Sequence, residues 1–308
     1  MTPAHAEWVP DKNVEMVIGA GVGGAVDTLA RLVVQVIEKK GLVPTTISPV
    51  NKPGGGMTVT TNYINGHEGD GHYVALIGSS WMTTGISNNV DDLLHSITPV
   101  TLAFDTPMMF GVAADSPLKD AKDLAEAMKK DPGSIRFAIS TTAGNGNHLG
   151  VLKFAETAGV DPKQARVIVN DSGALSVTQL LGGHIEVCVC SLGLITPQVE
   201  AGKARVLGLL TAKRLKGAPD VPTFKEQGYD AVISGFQAFI LPKGTSADQV
   251  AFWEKVLKEV IESDEVQDFV TKRTWVAEYV GQKDSMAQLE EQMAFTKAKL
   301  EELGLIKK

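Results

Sequence analysis

Residues 14–31 read VEMVIGAGVGGAVDTLAR. Val14–Ile18 is a short apolar run, as expected of a strand buried on both faces. Glycines follow at 19, 21, 23 and 24, and then Leu29, Leu32, Val33, Val36 and Ile37 recur at i, i+3, i+4, i+7 and i+8, the spacing of an amphipathic helix. Gly41 is placed to close that helix. A strand, a glycine turn and a helix in this order predict an α/β fold, in which ligands bind where strands hand over to helices.

Gly19, Gly21 and Gly24 also fit the GxGxxG dinucleotide fingerprint. That fingerprint needs an acid about 20 residues further on, at the end of the second strand, and residues 45–50 contain none. A nicotinamide or flavin is therefore set aside and no cofactor is expected. What remains is a turn that offers backbone N–H groups to an anion at a helix N-terminus.

The same order continues along the chain. Residues 45–50 form a second expected strand, 51–56 (NKPGGG) a tight turn, 58–65 a short helix, and 73–77 a third strand that runs into Ser79-Ser80-Trp81. Residues 100–113 hold two extended runs broken at Asp105-Thr106-Pro107. A second series opens with a helix capped by Ser116-Pro117 and carrying Leu118, Ala121, Leu124, Ala125 and Met128. A strand at 136–139, a polar loop at 141–147 and a helix at 148–158 follow. Then come a strand at 166–169, the turn Asn170-Asp171-Ser172-Gly173, a helix near 174–181, the strand IEVCVC and another strand at 205–210. Past 232–241 the pattern is helical: Ser246 and Gln249 spell a capping box for a helix to about 262, and Asp284 opens a last one to about 303.

Two α/β series joined by two extended crossings imply two lobes, 7–105 with 236–308 and 106–235. Each lobe is expected to be a mixed, mostly parallel sheet flanked by helices. The crossings near 104–107 and 233–237 would form a hinge, with ligand taken between the lobes. A length of 308 residues agrees with two cores rather than one. With 44% hydrophobic and 21% charged residues the chain is an ordinary globular one, and a net charge of −7 argues against a nucleic-acid partner.

The candidate ligand residues are those at strand C-terminal ends: Gly23, Gly24 and Asp27; Ser79, Ser80 and Trp81; Thr141, Thr142, Ala143, Gly144, Asn145 and His148; Asp171 and Ser172; and Ser191. Two of them have open roles. Asp27 either faces ligand or serves its helix as a cap, with Arg31 at i+4 as an ion-pair partner. His148 either faces ligand or caps and packs.

Catalytic signatures are missing: no GxSxG elbow, no Walker lysine loop and no HExxH stand in the sequence. His67-Glu68-Gly69-Asp70-Gly71-His72 reads as a turn entering a strand, and no metal is expected there. Cys188 and Cys190 share one face of a strand with Cα atoms about 6.5–7 Å apart, at the limit of disulfide geometry, so two buried free thiols are expected. Ala4-His5-Ala6 fits the end of a secretory signal, which makes residues 1–6 a remnant and the mature start near Glu7. No cysteine lies nearby, so no lipid anchor is expected.

Several ordered motifs resemble one family. They are Gly23 to Arg31 (GGAVDTLAR), Asn51 to Gly56 (NKPGGG), Gly69-Asp70-Gly71-His72, the loop from Ser140 to His148, Leu181 to Glu186 (LGGHIE), Ala218 to Gly228 (APDVPTFKEQG) and Leu241-Pro242-Lys243-Gly244-Thr245. Together they are similar to the solute-binding proteins of tripartite tricarboxylate transporters, or Bug-type receptors. The resemblance implies a two-lobed periplasmic binding protein of type II-like fold, not an enzyme. It would capture a small carboxylate, whether a di- or tricarboxylate, an aromatic acid or an amino acid, deliver it to membrane permease subunits, take no nucleic-acid partner and act as a monomer. It also implies that Gly24, Asp27, Ser80, Thr142 to His148 and Asp171 face the ligand. The chain departs from the family at Ala20 or Gly21, Asn170 and Phe236, where the family often carries an aromatic residue, a Tyr and a Trp. These changes alter the walls of the site. Two other readings stay open at this point: an enzyme acting on a small organic acid, and a sensor module without transport.

Cationic side chains are sparse in these loops, with Lys52 in a turn and Arg31 one turn inside a helix. A carboxylate would then be held by backbone N–H groups, hydroxyls and helix N-termini rather than by an ion pair.

Overall fold

The computed structural model describes residues 7–306 apart from Gly24, Asp91, Thr141, Thr142, Asp171, Ser234 and Leu303. In chain order its elements are β1 (Val14–Ile18), α1 (Ala25–Lys40), β2 (Ile47–Asn51), α2 (Thr58–Asn65), β3 (Tyr73–Gly78), α3 (Ser79–Ser87), β4 (Ile97–Asp105) and β5 (Met108–Ala113). Then follow α4 (Ala121–Lys130), β6 (Arg136–Ser140), α5 (Gly146–Thr157), β7 (Arg166–Asn170), α6 (Gly173–Leu181), β8 (Val187–Ser191), α7 (Leu192–Glu200) and β9 (Ala204–Leu209). The chain ends with β10 (Phe236–Pro242), α8 (Ala247–Ile261), α9 (Asp264–Lys272), β11 (Val276–Val280) and α10 (Gln282–Glu302).

The chain divides into two compact units. Unit 1 runs up to Phe104 and resumes over Phe236–Val270 and from Ala277 onwards; unit 2 is Asp105–Gly235 with Thr271–Val276. The short second stretch belongs to unit 2 because it packs there: a β-carbon on Gly217 would lie 2.9 Å from the Thr271 carbonyl oxygen.

Each unit holds one mixed sheet built on the same plan. Unit 1 has the order β11-β4-β10-β3-β1-β2, and unit 2 has β7-β6-β8-β5-β9. In unit 1, β1 pairs in parallel with β2 and β3, and β10 runs antiparallel to β3. In unit 2, β6 pairs in parallel with β7 and β8, and β5 runs antiparallel to β8. In both, the antiparallel strand is the first one after the chain enters or re-enters the unit. Parallel strands put their C-terminal ends on one edge, so each unit gathers three strand ends there.

The cores explain the strands. Tyr73–Gly78 is a continuous apolar run buried from Val74 onwards, as a central strand covered on both faces requires. Val17, Ala75, Ile77, Trp81, Phe236, Ala238 and Ile240 share one cluster in unit 1. Unit 2 adds an aromatic group, with Phe110 against Phe224 and Phe154 against Phe224 at centroid distances of 4.9 Å. No helix among the described residues is long and apolar enough to cross a membrane.

Several local readings change. The helix expected from Ser116-Pro117 starts at Ala121, because Asp120 caps it by accepting from the Asp123 N–H, while the Ser116 hydroxyl accepts from Leu118 in a separate turn. Strands β4 and β11 and helices α3, α7 and α9 extend or add to the expected pattern. α3 forms from the unpromising SSWMTTGIS because Trp81, Met82 and Ile86 bury, and Gly85 admits the Leu93 side chain. The expected capping box is present: the Ser246 hydroxyl accepts from the Gln249 N–H, and the Gln249 side chain accepts from the Ser246 N–H.

Candidate ligand-binding site

In unit 1 the glycine turn after β1 is fixed by one carboxylate. Asp27, the third residue of α1, is 2% exposed. Its oxygens accept from the Gly23 N–H at 2.9 Å, from Arg31 Nε at 3.0 Å and from Asn51 Nδ2 at 2.8 Å. Asn51 also donates to the Ala20 carbonyl at 2.8 Å and accepts from Arg31 Nη2 at 3.0 Å, so the end of β2 is tied to the turn after β1. The Arg31 hydrogen bond, followed by those from Asn51 and Gly23, holds the Asp27 carboxyl down at about 2 against the cost of burial. Asp27 is therefore ionised and fully engaged, reaching back to the turn rather than capping its own helix. Its role is to shape the turn. Gly23 is exposed. Gly24, expected in the same turn, lies outside the described residues.

The NKPGGG loop packs beneath. A β-carbon on Gly56 would overlap the Thr84 hydroxyl of α3, and the φ of 58° is itself left-handed, so only glycine fits. Met57 closes the loop in the left-handed region, φ 73°, with its sulfur accepting from the Gly78 N–H at 2.9 Å. Lys52 lies over the Tyr63 ring at 4.0 Å from its centroid, and Tyr63 donates to Glu15 at 2.7 Å. That hydrogen bond, with burial, pushes the Tyr63 hydroxyl up to about 12.

Helix α3 begins directly on the last residue of β3. Its N-cap, Gly78, has no side chain to satisfy the orphan N–H groups of the first turn. Ser79 is half-buried and Ser80 exposed, both in that turn. Trp81, expected at the ligand, is instead fully buried in the unit 1 core. Across the sheet, Gln237 of β10 pairs in register with Gly78. Gln237 is 6% exposed and its Oε1 is buried with no hydrogen-bond partner. A buried unpaired acceptor of this kind costs about 1–3 kcal/mol.

Among the described residues, unit 2 builds its strand ends from neutral groups. Asn145 caps α5 by accepting from the His148 N–H at 3.1 Å, and its amide donates back to the Ser140 carbonyl. Asn147 donates to the Ser140 hydroxyl at 2.9 Å. His148 is 8% exposed, and its Nδ1 accepts from the Gly144 N–H at 2.9 Å, so the ring proton is on Nε2. Burial pushes the His148 pKa down. Ala143 is exposed. At the end of β7, Asn170 donates to the Ser176 hydroxyl at 2.9 Å and to Gln179 Oε1 at 3.0 Å, and Ser172 caps α6 by accepting from Leu175. Thr141, Thr142 and Asp171 lie outside the described residues. At the end of β8, Ser191 is the N-cap of α7 yet makes no side-chain cap. It pairs in register with Met108 of β5.

So α3 and α7 occupy matching places, each starting on the end of the third parallel strand of its sheet and each without a side-chain cap. Each leaves backbone donors for an anion, with the favourable end of the helix dipole behind them. Asn51 and Gln237 are the residues that sequence reasoning missed. Asn51 stands just past the expected strand at 45–50, where the dinucleotide fingerprint would place an acid, and its amide takes the structural role there.

The remaining motifs hold the fold. Arg136 makes a bidentate pair with Glu186 of LGGHIE, at 2.5 and 2.9 Å, at the starts of β6 and β8. In the later motif Thr223 and Glu226 exchange side-chain caps, and Gln227 links the start of α4 to the Leu207 carbonyl. His72 pairs with Asp70 at 2.6 Å and Asp11 at 3.1 Å, while His67 stacks on Tyr73. Cys188 and Cys190 are free and buried, with sulfurs 3.3 Å apart.

Residues 29–305 match the family model described as the tripartite tricarboxylate transporter family receptor. The chain belongs to that receptor family. Protein BugT of Bordetella pertussis is 24% identical over 86% of this chain and 81% of its own length. A TctC solute-binding protein from Polaromonas superposes with a TM-score of 0.84 at 24% identity, covering 95% of this chain and 99% of that one. Another solved structure, a Rhodopseudomonas palustris protein with adipate, gives a TM-score of 0.74 at 21% identity over 96% and 98% of the two chains. The fold is thus that of a solved TctC solute-binding protein.

Proposed function

We propose that this receptor works in the periplasm, holds a small carboxylate on strand-end loops, and passes it to the membrane permease of a tripartite tricarboxylate-type transporter. The observation that carries this reading is the pair of helices, α3 and α7, that start without side-chain caps at equivalent strand ends. The family supports a transport role, and a dicarboxylate occupies the adipate-bound structural neighbour.

The two cations of the unit 1 loops are already engaged: Arg31 with Asp27 and Asn51, and Lys52 with the Tyr63 ring. The carboxylate is therefore held by backbone N–H groups and hydroxyls, Ser79, Ser80 and Ser191 among them. Micromolar affinity needs about 8 kcal/mol. Charge-assisted hydrogen bonds contribute roughly 1.5–3 kcal/mol each, and a helix terminus about 0.3–2. Four or five such contacts suffice. Asp27 and His148 stand behind the donors and position them.

A thermal-shift screen of the purified protein against mono-, di- and tricarboxylates, with sulfate, phosphate and neutral sugars as controls, tests the reading. A carboxylate at 100 times its Kd should add about 2.7 kcal/mol of stability. Binding without turnover of the acid is expected. If sugars alone shift the melting point, or nothing does, the carboxylate reading fails.

A further inference from the structure

Gln237 is a buried polar side chain at the unit 1 strand ends that the mechanism above does not use. It lies on the antiparallel strand beside the N-cap of α3, and its Oε1 is buried without a partner. Gly78, its register partner, has an extended backbone with φ −132° and ψ 179°, which any residue adopts. A β-carbon there would meet the Phe236 carbonyl at 3.5 Å, Met57 Cε at 3.6 Å and Gln237 Cγ at 3.9 Å, all ordinary contacts. Neither conformation nor packing requires glycine, and a methyl group there would lie against the Gln237 side chain. The matching position in unit 2 is apolar: Met108 faces Ser191. The polar group belongs to unit 1 alone.

We propose that Gln237 Oε1 accepts a hydrogen bond from an O–H or N–H on the ligand carbon next to the carboxylate that the first turn of α3 holds. The preferred ligands are then hydroxy- or amino-substituted carboxylates. This inference rests on the carboxylate reading above and adds a substituent to it. A site built to pair with a donor rejects the analogue that lacks it, since the buried acceptor is then left unpaired.

The test compares matched acids by calorimetry: malate and aspartate against succinate, lactate against propionate. For the wild type, the substituted member of at least one pair should bind about ten-fold tighter than its parent. Gln237→Leu should bring that ratio to within about two-fold while leaving the parent acid within about three-fold of its wild-type affinity, with no loss of melting temperature. Gly78→Ala, which sets one methyl group against the Gln237 side chain and leaves the fold alone, should weaken the substituted acid more than the parent. A wild type that binds parent acids as tightly as substituted ones overturns the inference and leaves the receptor reading standing. So does a preference that survives in both folded variants, which would assign the Gln237 acceptor to water. A wild type that binds none of these acids overturns the carboxylate reading and this inference together.

Discussion

The glycine turn after β1 and the polar loop after β6 solve one problem with different chemistry. Both must hold backbone donors at a strand end. Unit 1 does so with an ionised carboxylate, Asp27, that gathers Gly23, Arg31 and Asn51. Unit 2 does so with a neutral amide and a neutral imidazole, Asn145 and His148, that gather Ser140 and Gly144. The difference teaches that a charge can be buried at a strand end if its own partners neutralise it. It also gives the two loops different responses to acid.

The sharpest break of this comparison is Asp27→Ala. It leaves the Gly23 N–H, Arg31 and Asn51 without their shared acceptor and should cost about 3 kcal/mol in urea denaturation. Asp27→Asn should cost less than half as much. Because the folded pKa of Asp27 is held below its unfolded value of 3.8, its contribution is complete above about pH 4 and is lost as pH falls towards about 2. An equal loss for both variants would show that packing, not charge, holds the turn.

His148→Ala should cost about 2 kcal/mol through the unpaired Gly144 N–H and the vacated ring. Here the folded pKa lies below the ordinary value of 6.5, so the unfolded chain takes up the proton first. Stability is complete above about pH 6.5 and declines as pH drops below it. The wild type should show this slope and the variant should lack it. A slope unchanged by the substitution would place the titrating group elsewhere.

Glu186→Gln lies at the other edge of the unit 2 sheet. The pair with Arg136 is about one-third exposed on each side, 32% for both, so its loss should cost about 1 kcal/mol. Ligand affinity should not change, and a change would bring the strand starts into the site. The smallest effect is expected of Lys52→Gln, which removes a cation facing the Tyr63 ring. Affinity for the best carboxylate should move less than about three-fold; a tenfold loss would mean an ion pair after all.

The alternation of strands and helices was visible in residues 14–65 because each apolar run there is followed by its own turn residues. The helices α3 and α7 were not. Neither has a connecting loop, α3 is rich in Ser, Thr and Gly, and α7 contains Pro197, so local propensity speaks against both and packing decides. The same holds for the site. Its glycines and serines announce themselves locally, whereas Asn51 acts on Asp27 across 24 positions and Gln237 meets Gly78 only through sheet register. Two of the motifs that carry the family resemblance, LGGHIE and APDVPTFKEQG, brace strand starts and α4.

The two thiols of β8 have a practical use. Cys188 and Cys190 are 0% and 1% exposed, so an aqueous alkylating reagent reaches neither, and the hydrogen bond from Cys188 together with burial also pushes the Cys190 thiol up. For labelling chemistry the native chain behaves as if it had no cysteine. Lys122→Cys, on the exposed face of α4, would therefore take up a single fluorophore in the native background.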